Sequence, residues 1–189
     1  SLDKKMEAGT MNFVAGAEFQ QGYFNTQVSK NRNGEPDTLQ TDDDIDNKML
    51  SLFVQAGAEI NNSWHFILGA SLTRTDVKIT RLNSYPVITK SRSYRNELAP
   101  KFSLMKQFSH RFHWLASVSR GFSPPTVAEL LPSTGVISTN LEAESGWNYE
   151  TTLRSFLLRN KLTLELTAFY FKLNDALVQR RDISGADFF

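Results

Sequence analysis

Apolar and polar residues alternate with a period of two along most of this chain. Leu50, Leu52, Val54, Ala56, Ala58 and Ile60 share one side of an extended backbone, opposite Ser51, Gln55, Gly57 and Glu59. Trp64, Phe66, Leu68, Ala70 and Leu72 oppose His65, Gly69, Ser71 and Thr73 in the same way. Further along, Phe112, Trp114, Ala116 and Val118 oppose His113, Ser117 and Ser119, and Leu162, Leu164, Leu166, Ala168 and Tyr170 oppose Thr163, Glu165 and Thr167. Such alternation marks a strand lying between an apolar and a polar phase. It predicts about seven strands, near residues 10–29, 48–60, 64–80, 91–108, 111–121, 146–158 and 161–181. Soluble strands commonly run about 5–6 residues, and a tilted membrane strand needs about 9–11. Every predicted strand meets the longer requirement, so the apolar phase is read as lipid.

The connections support that reading. Residues 30–47 form a long polar stretch carrying Asn33-Gly34, Pro36 and Asp42-Asp43-Asp44, and Asn61-Asn62-Ser63 is a tight turn. A middling loop with Pro86 precedes a turn at Ser109-His110; a long loop follows Gly121, and a turn falls at Arg159-Asn160. Long and short connections thus alternate, as in outer-membrane barrels with short periplasmic turns and longer external loops. Trp64, Phe66, Phe108, Phe112 and Trp114 lie beside the short turns on the apolar parity, where an interfacial aromatic girdle belongs. Tyr94, Tyr149 and Tyr170 are placed by the same parity near the opposite rim. The competing fold is a soluble β-sandwich binding module, which predicts shorter strands and no ordering of loop lengths.

One stretch carries a more specific signal. Ser119-Arg120-Gly121-Phe122, Pro124, Glu129-Leu130, Asn140-Leu141, Glu144 and Tyr149-Glu150 follow one another in that order. Together they resemble the barrel of the TonB-dependent outer-membrane receptors, the transporters of iron-siderophore complexes. The resemblance implies an all-β antiparallel meander forming part of a large transmembrane β-barrel in a Gram-negative outer membrane. It also implies uptake of a ferric siderophore or similar scarce ligand, with TonB as energy source, and contact with lipid bilayer and lipopolysaccharide. No plug-like segment is recognised, so residues 1–189 are read as a partial barrel domain, with TonB engaged through a plug region outside it. Large outer-membrane transporters have about 22 strands, and seven would leave two unpaired edges, which predicts edge-strand self-association of the isolated chain. The alternative within the membrane is a non-transporting barrel whose external loops bind a surface partner.

Composition narrows the chemistry. A net charge of +1 gives no electrostatic case for nucleic acid, and the absence of cysteine excludes disulfides and thiolate metal sites. No window approaches the length of apolar residues that a membrane helix needs, residues 1–10 show no signal peptide, and Phe189 is read as a truncation point. His65, His110 and His113 lack metal-ligand spacing, so no metal or cofactor is expected. Asp42, Asp44 and Asp46 begin like a calcium loop, but Asn47 stands where the turn glycine belongs and Phe53 where the terminal glutamate belongs; a mobile external loop is expected there. Ser119 and Ser123 have no nucleophile elbow around them, and no enzyme is expected. Arg92, Arg95, Arg120, Arg180 and Arg181 gather toward the long-loop rim, where guanidinium groups suit the anionic oxygens of ferric chelates. The candidate ligand contacts are Arg95, Arg120, Trp147, Tyr85 and Arg180, with Arg95 paired to Glu97 on the inner face. Glu150 and Arg154 are expected in an internal charge ladder.

Overall fold

The computed structural model describes residues 2–6, 9–131, 137–138, 140–159, 161–178, 180–181 and 187–188. The strands are β1 (Leu2–Met6), β2 (Gly9–Arg32), β3 (Glu35–Ile60), β4 (Trp64–Arg81), β5 (Ile88–Ser93), β6 (Glu97–Ser109), β7 (Phe112–Ser123), β8 (Glu144–Leu157), β9 (Leu162–Asn174), β10 (Arg180–Arg181) and β11 (Asp187–Phe188), with one short helix, α1 (Val127–Leu130), between β7 and β8. All but β10 and β11 join one sheet, paired in the order β1-β2-β3-β4-β6-β7-β8-β9 with β5 also on β4. Every pairing is antiparallel, so the sheet is an up-and-down meander.

The register carries the alternation across the sheet. Ala58, Phe66, Leu104 and Ala116 are successive partners on the apolar face, and Ser51 pairs with Thr73 on the polar one. Apolar side chains on the first face stay uncovered: Leu68 is 62% and Leu166 67% exposed. No second sheet or helix covers that face among the described residues, and the strands are far longer than a sandwich uses. On the polar face, hydroxyl pairs cross adjacent strands, Ser51 to Thr73 at 2.8 Å and Thr152 to Thr167 at 2.9 Å.

Several boundaries differ from those read in the sequence. Residues 30–47 are not a loop: β2 and β3 run 24 and 26 residues and close through Asn33-Gly34, both at positive φ. Two central residues of that conformation are what a tight hairpin turn requires, and Asn-Gly supplies them. A polar ribbon needs no apolar face where both sides meet water, so the hydrophobic pattern is silent there. Asp42, Asp44 and Asp46 therefore sit on a strand rather than in a mobile loop. Their carboxylates accept from β2 amides: Asn25 reaches Asp42 at 2.6 Å and Asp44 at 3.0 Å, and Gln21 reaches Asp46 at 3.2 Å.

The strand read at 91–108 is interrupted. β5 pairs with the upper part of β4 and β6 with the lower part, and Tyr94-Arg95-Asn96 form the break. The break resets the alternation and turns Tyr94 to the polar-parity side, where it is 5% exposed, not outward as parity alone predicts. A further strand, β1, precedes the first one read, and β9 ends at Asn174 rather than near 181. Phe189 lies outside the described residues.

Candidate functional site

The rim that carries the longer connections is built around the chain between β7 and β8. Pro124-Pro125 ends β7, because proline cannot donate to the ladder. Thr126 then caps α1: its hydroxyl accepts from the Glu129 N–H at 3.4 Å, and the Glu129 carboxylate accepts from the Thr126 N–H at 2.6 Å. This reciprocal capping box fixes so short a helix. It aims Leu130 back onto the polar-parity face of β3, β4 and β5. There Leu130 and Ile137 pack with Ile45, Val77, Ile79 and Tyr94 into a small buried core. Ile45 is 0% and Ile79 2% exposed.

Charged and polar groups surround this core. Asp43 and Arg81 face each other across β3 and β4 in a two-pronged pair at 2.8 and 2.9 Å, almost fully covered. Lys90 Nζ donates to the Ile137 carbonyl at 3.2 Å. Arg92 pairs with Glu142 at 2.6 Å and lies 5.6 Å from the Tyr94 ring centroid. Burial raises the Tyr94 phenol above its usual pKa, against the opposing pull of Arg92. Among the described residues, Arg92 Nε, Tyr94 Oη and Asn47 Oδ1 are buried without a hydrogen-bond partner. The register sets Asn47 and Arg92 on either side of Val77 in one row.

The five ligand candidates do not converge on one point. Tyr85 stands fully exposed before Pro86, and Arg95 is exposed in the break between β5 and β6. Arg180 is exposed on β10. Arg120 and Trp147 are register partners on β7 and β8. Glu97 bonds Arg120 at 3.0 Å in place of the expected Arg95, and Arg120 also donates to the Leu98 carbonyl at 2.6 Å. Trp147 stacks on Tyr149, with centroids 6.3 Å apart. Arg154 takes Glu165 at 2.7 Å across β8 and β9. Glu150 faces a separate polar-face recess of about 420 Å3, toward the short turns, lined also by His65, Ile67, Ser103, Met105 and Ser117.

Sequence reading passed over Lys90, Tyr94, Leu130 and Ile137 as site residues. The available signal was Ile45, Val77 and Ile79, three apolar residues on a polar parity that only a folded-in loop would cover.

A family profile described as TonB dependent receptor-like, beta-barrel, matches residues 3–189. The chain belongs to the TonB-dependent receptors. Among solved receptors, the ferric citrate transporter FecA superposes with a TM-score of 0.72 at 14% identity, covering 98% of this chain and 28% of that one. The ferric-catecholate import receptor Fiu from E. coli K12 gives 0.65 at 11% identity, covering 98% and 31%. The metal-pseudopaline receptor CntO of Pseudomonas aeruginosa (strain UCBPP-PA14) is 26% identical over 131 residues, which is 68% of this chain and 18% of that protein. The chain thus spans less than a third of the length of each of these relatives. As part of a receptor barrel in the outer membrane, its apolar face meets lipid and its polar face the lumen. The short turns then mark the periplasmic rim, and the β7–β8 connection folds inward at the external one.

Proposed function

We propose that this receptor takes up a ferric siderophore or a similar anionic metal chelate across the outer membrane, driven through TonB. The carrying observation is the lumenal wall at the external rim, where Lys90 and Arg92 stand beside a folded-in loop. The relatives' names support the substrate class: ferric citrate, ferric catecholate and metal-pseudopaline are all chelates. Guanidinium and ammonium groups suit carboxylate and catecholate oxygens, and Arg forks onto them in pairs. Tyr85, Arg95 and Arg180 are exposed enough to add direct contacts, while Arg120 and Trp147, partners on the outward parity, brace the ends of β7 and β8 behind them. TonB is engaged through a plug region beyond these residues.

The experiment is iron-limited growth of a strain lacking the gene, complemented and fed single chelates. One chelate is expected to restore growth only with the gene present and TonB intact. Growth that never depends on the gene, or that survives loss of TonB, would remove the transport reading and favour a barrel whose loops bind a surface partner.

A further inference from the structure

The lipid-facing surface is almost free of charge. On the outward parity of β2, β3, β4, β6, β7, β8 and β9, charged side chains gather toward the external rim, among them Asp42, Asp44, Asp46, Lys48, Arg74, Asp76, Lys78, Arg120 and Lys172. Between them and the short turns, one charged side chain remains among the described residues of those strands: Lys106 on β6. Its register partners are Trp64 on β4 and Trp114 on β7, so an ammonium sits between two indoles in one row across three strands. Lys106 Nζ lies 4.3 Å from the Trp64 ring centroid and donates to Ser63 Oγ at 3.1 Å. Trp114 commits its indole N–H to Thr151 Oγ1 at 2.8 Å. Among the described residues, no carboxylate lies within ion-pair distance of Lys106.

An ammonium on a lipid-facing surface is costly unless it reaches the interface and finds an anion. The two tryptophans mark that interface on the periplasmic side. An ammonium has three donors; Ser63 takes one, the Trp64 face satisfies another, and a third is left for an acceptor from the headgroup zone. The periplasmic leaflet of an outer membrane is built of phospholipids, whose phosphodiester supplies the missing acceptor. We propose that Lys106, with Trp64 and Ser63, forms a binding site for an anionic phospholipid of the phosphatidylglycerol type. A zwitterionic lipid brings its own ammonium and competes with Lys106 for the phosphate, which gives the site its preference.

The test is native mass spectrometry of the protein purified from its own outer membrane, with whatever further chain it carries, exchanged against mixed phosphatidylglycerol and phosphatidylethanolamine. Wild type is expected to retain phosphatidylglycerol preferentially. Lys106→Gln should lower that retention about fivefold, the weight of one lysine at a charged lipid surface. Lys106→Arg should keep it, as should Arg74→Gln at the opposite rim. Soluble glycerophosphoglycerol, the same phosphate without acyl chains, should not compete. The proposal is overturned if wild type shows no preference, if Lys106→Gln retains as much as wild type, if Lys106→Arg loses retention, or if the soluble phosphodiester displaces the lipid.

Discussion

Two sets of aliphatic side chains in one sheet meet opposite fates. Leu68 and Leu166, on the outward face, keep 62% and 67% of their surface exposed. Ile45 and Ile79, on the lumenal parity near the external rim, keep 0% and 2%. Both sets obey one requirement, that apolar surface leave water. The difference is what removes it. Lipid covers the first set, so the protein contributes no cover of its own. For the second the chain folds back, and Leu130 and Ile137 arrive from a connection more than forty residues away in sequence from Ile79. The fully buried apolar cluster on the lumenal parity at the external rim therefore marks an infolded loop, while the exposed apolar band on the outward parity marks bilayer.

The contrast is sharpest when one deletion is made at both places. Ile79→Ala removes atoms from a packed site and leaves a cavity, and should cost about 2–5 kcal/mol. Leu68→Ala opens no cavity, since lipid chains close over the gap, and should cost well under that. Urea unfolding of the protein from lipid vesicles reads both values. Equal costs would mean that the outward leucines rest on protein, and the comparison would fail.

Charge insertion on one strand gives a somewhat smaller contrast. Leu68→Arg places a guanidinium toward the bilayer and should cost about 2–4 kcal/mol at mid-depth. Ser71→Arg faces the lumen from the same strand and should stay within about 0.5 kcal/mol, as at an ordinary wetted surface. The same unfolding measurement decides; a costly Ser71→Arg with a silent Leu68→Arg would reverse the assignment of the two faces.

The membrane half of the fold was legible because lipid imposes a strict period of two. Leu50 to Ile60 and Trp64 to Leu72 could be read residue by residue, together with the girdle of Trp64 and Trp114 beside the short turns. Above the lipid that constraint ends. The ribbon of β2 and β3 holds through backbone pairing and amide–carboxylate contacts such as Asn25 with Asp44, which leave no hydrophobic trace, so it read as a loop. Tyr94 was misplaced for a related reason: a break of a few residues restarts the alternation, and parity counted through the break gives the wrong face. The candidate site was legible only as a concentration of cations at one rim. Which of them are tied to a neighbouring strand, as Arg120 is to Glu97, depends on long-range contacts that spacing cannot show.

The ribbon offers the smallest effect and the most selective one. Asp44 accepts a hydrogen bond from Asn25 and another from Tyr23, and these, the Asn25 bond first, hold its carboxyl below the usual 3.8. The paired form prefers the ionised carboxylate, so its contribution is complete above that ordinary value and is lost as pH falls through the lowered one. Spin labels at the register partners Ser29 and Leu39 should give one narrow distance from neutral pH down to about 4 and broaden only below it. Asp44→Asn, which no longer titrates, should show no broadening tied to that site, while the lipid-covered strands stay unchanged in both proteins. Broadening that persists at the same pH in Asp44→Asn would assign the titration to another carboxylate. Broadening that spread to the lipid band would mean that ribbon and barrel wall melt together, and that the two regions do not differ in what holds them.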